Sequence, residues 1–288
     1  MRRDRINSIA NILPQKQKQT KMDISSELQQ KFKQLQEILR GYGRVVIAFS
    51  GGADSALLLK VAYDTLGKNT MAFFADSAVQ PVEERLGAID TAHSISAPFE
   101  IISFSPLDLP EFTANSKARC YHCKKSIFSS FLELAHQRDF PWLADGTNLD
   151  DLSKDRPGSL AVTELGVKTP LAQASLTKSE IRELSRFLAL PTWNKPSASC
   201  LATRIPTGIP ITATDLAIID KAERILHNLG YHGCRVRLAA STCYLELVNG
   251  DIDRLVSSGK LEAVRDSLLA LGTNKVFLDL LERASILS

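Results

Sequence analysis

Ser50-Gly51-Gly52-Ala53-Asp54-Ser55 brings two glycines, two serine hydroxyls and one acid into six consecutive positions. Glycines let the backbone curl so that successive N–H groups point inward, and such a nest binds anions. An apolar run over 44–49 precedes these residues and an apolar helical pattern over 56–66 follows them. The start of a helix adds partial positive charge at the same place. Ser50 and Ser55 are further hydroxyl donors, so the whole stretch reads as a phosphate cradle. It is not a Walker A loop, because no Gly-Lys-Ser/Thr follows, and the dinucleotide pattern G-x-G-x-x-G is absent.

The second group of reactive residues is the cysteines: Cys120, Cys123, Cys200, Cys234 and Cys243. Cys120-Tyr121-His122-Cys123 is a C-x-x-C pair, which alone fits zinc, redox chemistry, an iron–sulfur cluster or no function. A thioredoxin-like reading is set aside, since the motif is not expected to start a helix after the first strand. Tetrahedral zinc wants four ligands, and Cys200 is the one further good candidate. Three thiolates can hold a [4Fe–4S] cluster and leave one iron open for a sulfide or a substrate. Cys234 and Cys243 fall in strand patterns and read as core or surface residues.

These groups need a scaffold, and the hydrophobic pattern supplies one. Helices are expected over 25–39, 56–66, 82–96 and 126–136, and strands over 44–49, 71–75, 100–104 and 141–144. Alternating strands and helices imply an α/β fold, a doubly wound parallel sheet with helices on both faces. Ligands of such sheets bind beyond the carboxyl ends of the strands, here at Ser50, Asp76-Ser77 and Asp145-Gly146. Thr177-Lys178-Ser179-Glu180 is a capping box that opens a helix over 177–188. The stretch 191–210 is rich in Pro, Ser and Thr and is either a linker or a functional loop. Beyond it, helices over 215–229 and 261–271 and strands over 234–238, 244–248 and 275–280 indicate a smaller α+β unit, with the turn at 239–243. The expected division is a disordered basic tail over 1–22, the main domain over 23–206 and the α+β domain over 207–288.

The balance of 35 basic and 32 acidic residues, net charge +3, argues against a dedicated nucleic-acid binder but leaves room for a local basic pocket. No apolar run approaches the roughly 20 residues of a membrane helix. The N-terminal stretch has no apolar core of a secretory signal, and translation from Met22 is an alternative start. An odd cysteine count without such a signal points to a reducing, cytoplasmic setting.

The cradle resembles the PP-loop of the N-type ATP pyrophosphatases, which split ATP between the α and β phosphates and pass AMP to a substrate oxygen. The resemblance implies ATP and Mg²⁺, with Asp54 helping to hold the metal on the pyrophosphate. Further motifs narrow it. Arg119-Cys120-Tyr121-His122-Cys123-Lys124-Lys125, Asp145-Gly146-Thr147-Asn148, Asp155-Arg156-Pro157-Gly158, the stretch from Trp193 to Pro206 and Arg235-Val236-Arg237 resemble the LarE sulfur transferases over about residues 25–280. These help build the nickel-pincer nucleotide of lactate racemase. The resemblance implies a pyridinium-3,5-biscarboxylic acid mononucleotide as substrate, whose carboxylates are adenylated and then thiolated. Cys200 matches the sulfur-donor cysteine, and Cys120, Cys123 and Cys200 together match the cluster-bearing form of the family. Asp76, Ser77, Lys124 or Lys125, Thr147, Asn148 and Arg204 fall with the ATP-binding residues. Arg235 and Arg237, with the acids Glu223 and Glu246, match the site for the substrate phosphate. A homo-oligomer is the family's habit. One departure is the C-terminus, where Leu280-Leu281-Glu282-Arg283-Ala284-Ser285 replaces a Gly- and Arg-containing segment.

The alternatives are a PP-loop iron–sulfur tRNA thiolase and a non-catalytic ATP- or zinc-binding module. The near-neutral charge and the lack of a tRNA-binding appendage weigh against the first.

Overall fold

The computed structural model describes residues 24–153, 157–248, 250–281 and 283. The tail expected over 1–22, Asp155 and Arg156, and most of the C-terminal departure lie outside these residues.

The main unit runs α1 (Ser26–Tyr42), β1 (Val45–Phe49), α2 (Ala53–Leu66), β2 (Thr70–Asp76), α3 (Val82–Ile95), β3 (Phe99–Ser103), α4 (Pro110–Thr113), α5 (Arg119–Gln137) and β4 (Trp142–Ala144). Short helices α6 (Leu149–Leu152), α7 (Pro157–Glu164) and α8 (Pro170–Gln173) follow, and then α9 (Lys178–Phe187). The four strands are parallel in the order β3-β2-β1-β4. Alternate residues of β1 feed opposite faces, as a strand's period of two requires. Val45, Ile47 and Phe49 pack with α1, α2 and α9, whereas Val46 packs with Phe128, Phe131 and Leu143 beneath α5. The sheet is thus covered on both sides, as the α/β pattern implied. Strand order reverses at β1: β2 lies on one side of it and β4 on the other. The crevice beyond the carboxyl ends of β1 and β4 is therefore a topological switch point.

The strands fall within a residue or two of expectation, but α5 does not. It begins at Arg119, not at residue 126, so Cys120 and Cys123 ride on its first two turns. The C-x-x-C does open a helix after all, but one that follows the third strand by way of α4. Its start carries no side-chain cap and no apolar repeat, so neither usual signal marks it.

The C-terminal part comprises α10 (Ala213–Asn228), β5 (Arg235–Ala239), β6 (Thr242–Glu246), α11 (Asp251–Ser257), α12 (Leu261–Leu269) and β7 (Lys275–Leu278). β5 and β6 form an antiparallel hairpin, and β7 joins β6 in parallel. The hairpin turns on Ala240 and Ser241, both at positive φ, in the manner of a two-residue turn. Its core reaches across the expected boundary at 206. Val79, Phe112, Leu201, Ala202 and Ile205 are buried with Val236, Leu238 and Leu245.

Candidate active site

The loop between β1 and α2 is held from inside. Ser55 is 3% exposed; its Oγ accepts from the Ser50 N–H at 3.2 Å, donates to the Gly52 carbonyl at 3.2 Å and lies 3.1 Å from Ser50 Oγ. Ser55 therefore shapes the cradle and is not a free donor at its rim, as the sequence suggested. Gly51 sits at φ +73°, and a Cβ there would stand 2.4 Å from Ala88 Cβ on α3. Both the left-handed backbone and this approach demand glycine. Gly146, after β4, also leaves little room: an added Cβ would be 3.0 Å from the Ser55 nitrogen.

Asp54 opens α2 and faces the crevice. Lys178, at the start of α9, pairs with it, and Asn148 Nδ2 lies 3.5 Å from its other oxygen. Asn148 and Thr177 each cap a short helix through the capping box, α6 and α9 respectively. The Lys178 N–H donates to Asp150 at 2.7 Å, which ties the two helix starts together. Lys195 donates to the Gly51 carbonyl at 3.0 Å and pairs with Glu84 at 2.8 Å. Lys178, Lys195 and Asp150 were not among the expected site residues. The capping box was legible, but not that the fold returns it to the loop.

A cavity of about 840 Å³ opens here, within the usual range for small-molecule sites. Ser50, Gly52 and Asp54 line it together with Cys123, Cys200 and Arg235. Cys120 is exposed nearby. Burial first, then the neighbouring Cys200 and Cys120, pushes the Cys123 thiol up to about 12. Burial likewise raises Cys200, in a field that includes Cys120 and the cations Arg119 and Arg204. The three thiols thus lie within electrostatic reach of one another. Among the described residues, no three His, Cys, Asp or Glu side chains group as a metal-ion site. A cubane cluster makes a different demand, because each thiolate binds a separate iron. Three thiols are the number of donors that such a cluster takes when one iron is left open, and ligation would favour the thiolates that burial disfavours.

Other expected residues lie elsewhere. Lys125 is held by Tyr121 at 2.7 Å and Glu164 at 2.9 Å, stapling α5 to α7 on the surface. Lys124 reaches Asp145, whose side chain is buried at the end of β4, at 3.0 Å. Asp76 pairs with Arg85, and Asp76, Ser77 and Thr147 do not line the cavity. Arg204 is 6% exposed and forks onto Glu223 at 2.9 and 3.0 Å. Its remaining nitrogen binds Ser199 Oγ at 2.6 Å and the Ser199 carbonyl at 2.9 Å. Arg204 is therefore a clamp on the cysteine-bearing segment rather than a residue facing the loop, and Glu223 is its counter-ion.

A second cavity, about 160 Å³, shares the wall 196–199 and Arg235 with the first. Arg204, Arg235 and Arg283 line it. Burial, followed by repulsion from Arg283, Arg204 and Arg237, pulls the Arg235 guanidinium down to about 10. Arg235 and Arg283 are half-buried, and Glu83, Glu84, Asp220 and Glu223 also line the cavity. The mutual repulsion of the arginines that helps to lower Arg235 is nonetheless what an anion there would relieve. Arg237 shares a strand face with Arg235, as expected, but binds Glu246 and the Thr203 carbonyl and does not line this cavity. Arg283 takes that place; its backbone pairs with Leu247 and its Nη1 donates to the Gly233 carbonyl at 2.8 Å. The C-terminal departure thus still presents an arginine.

No family model matches the chain. It is 36% identical over 253 residues to an uncharacterised protein of Synechocystis, covering 88% of this chain and 94% of that one. It is 32% identical over 244 residues to the pyridinium-3,5-bisthiocarboxylic acid mononucleotide synthase of Lactiplantibacillus plantarum, covering 84% and 87%. A shorter match, 27% over 168 residues, links it to the NH₃-dependent NAD⁺ synthetase of Helicobacter pylori, covering 56% and 63%. With a cradle at the switch point of a parallel sheet and this identity over most of both chains, the protein belongs to the LarE family, that of the pyridinium-3,5-bisthiocarboxylic acid mononucleotide synthases, within the PP-loop superfamily.

Proposed function

We propose that this protein is an ATP-dependent sulfurtransferase that converts the carboxylates of pyridinium-3,5-biscarboxylic acid mononucleotide to thiocarboxylates. The observation that carries the reading is one cavity whose walls hold the glycine loop, Cys123, Cys200 and Arg235. On this reading activation, sulfur delivery and substrate anchoring would take place side by side.

A substrate carboxylate oxygen attacks the α-phosphorus of ATP; the bond to the β-phosphate bridge breaks and pyrophosphate leaves. The loop N–H groups and the start of α2 stabilise the charge that the pyrophosphate carries away. Asp54, with Asp150 near it, is the carboxylate set for Mg²⁺, which would neutralise the departing phosphates. Sulfur then attacks the acyl carbon, and AMP leaves as the carbonyl re-forms. Arg235 and Arg283 hold the substrate phosphate in the arginine cavity, by the forked contacts to which guanidinium is suited.

We favour cluster-assisted delivery over loss of sulfur from Cys200. The three thiols lie within electrostatic reach of one another, and burial raises the pKa of Cys123 and Cys200, which makes them weak sulfur donors as free thiols. A [4Fe–4S] cluster there would supply an open iron to carry a sulfide. Free thiols suit a cytoplasmic protein, and no helix of the described residues is long and apolar enough to cross a membrane.

Asp54→Ala tests the loop. It is expected to abolish release of AMP and pyrophosphate, whereas retained release would refute the role given to Asp54.

A further inference from the structure

We propose that Lys195 is the positioning residue that couples the occupied loop to delivery of sulfur, an inference that rests on the reading just given. Lys195 precedes Cys200 by five residues, and the segment between them is neither helix nor strand. That segment, 196–199, is the wall shared by the two cavities. It is strung between two anchors. At its far end Arg204, buried against Glu223, grips Ser199, and the Leu201 N–H donates to the Val79 carbonyl at 2.8 Å. At its near end Lys195 bonds the Gly51 carbonyl and Glu84.

The near anchor is the one that touches the phosphate cradle. The Gly51 carbonyl and the Gly52 N–H belong to one trans peptide and point in opposite directions. A donor on that carbonyl therefore fixes where the loop N–H points. An ammonium has three donors, and here two are committed, which leaves one for an oxygen of a bound phosphate. Lys195 lines the cavity into which that oxygen would project. One side chain thus sets the loop, senses its phosphate and tethers the stretch that ends at Cys200.

Without that tether, an adenylate forms beside a misplaced sulfur donor. Water then attacks the acyl carbon, the bond to the phosphate oxygen breaks, and AMP and the original carboxylate separate as the protons pass to solvent. The test measures AMP and thiocarboxylate from the same incubation with ATP, Mg²⁺, sulfide and the biscarboxylated pyridinium nucleotide. Lys195→Met should raise the AMP released per thiocarboxylate roughly tenfold or more, since misplacement of a reacting group is that costly. Lys195→Arg should bring the ratio back towards that of the unaltered enzyme. A general structural defect lowers both products together, so an unchanged ratio in Lys195→Met overturns the proposal at any overall rate. Should that variant fail to fold, Lys195→Gln, polar and shorter, carries the same test with the same two outcomes. Unaltered enzyme that releases AMP yet makes no thiocarboxylate would instead count against the underlying function.

Discussion

Arg283 stands beside Arg235 in the smaller cavity, so its loss should weaken the hold on the substrate phosphate and leave the ATP site alone. A charge-assisted hydrogen bond contributes about 1.5–3 kcal/mol. Arg283→Ala is accordingly expected to raise KM for the pyridinium nucleotide roughly 10- to 100-fold, with KM for ATP little changed; equal shifts in both would contradict the assignment. Arg204 and Glu223 have a different part. Glu223→Gln would leave a buried guanidinium without its carboxylate, at a cost of about 3–5 kcal/mol in a denaturant titration. A loss of activity at full stability would return Glu223 to the substrate site. At this scale the sequence told residue type better than residue orientation. Arg204 and Arg235 both lie in motifs, but only folding shows that the first is enclosed by Ser199, Thr203 and Glu223. Arg283 was legible merely as a departure, because its place depends on its backbone pairing with Leu247.

Elements with their own local signals were read correctly. The β1–loop–α2 unit has an apolar run, glycines and an apolar helix in sequence, and α9 has its capping box. Elements positioned by distant contacts were missed. α8 has four residues and is set by bonds such as the Ala172 N–H to the Thr147 carbonyl, which no local pattern encodes. α6, equally short, has a capping box but too few residues to show an apolar repeat. α9 also makes a pH prediction. Burial would raise the Glu180 carboxyl, but bonds from Lys31 and from the Thr177 backbone and hydroxyl outweigh it and hold the pKa below the usual range. A depressed carboxylate stabilises the fold above its unfolded pKa and loses that effect as pH falls through the folded value. The stability gap between the unaltered protein and Glu180→Gln should therefore be steady near neutrality and shrink below about pH 4. A gap that does not change with pH would show that the Lys31–Glu180 pair contributes nothing.

Across the whole molecule, the two units meet where the chemistry must pass between them. The sheet supplies the loop, α5 supplies Cys120 and Cys123, and the segment before α10 supplies Cys200. The C-terminal core extends under Leu201, Ala202 and Ile205, so the stretch read as a linker or loop is built into both units. That dual packing fixes Cys200 in the lining of the larger cavity, next to the stretch 196–199 that the larger cavity shares with the smaller one. The α/β class and the α+β appendage were both legible from periodicity; their joint core was not, because it depends on contacts between residues more than a hundred positions apart. The most direct measurement is mass spectrometry of protein and product after anaerobic incubation with ATP, Mg²⁺, sulfide and the biscarboxylated pyridinium nucleotide. The account predicts a thiocarboxylate, in which sulfur replaces oxygen, with AMP and pyrophosphate, an unchanged protein mass and no product from Cys200→Ala. Absence of thiocarboxylate from the unaltered protein, or its undiminished formation by Cys200→Ala, would contradict it.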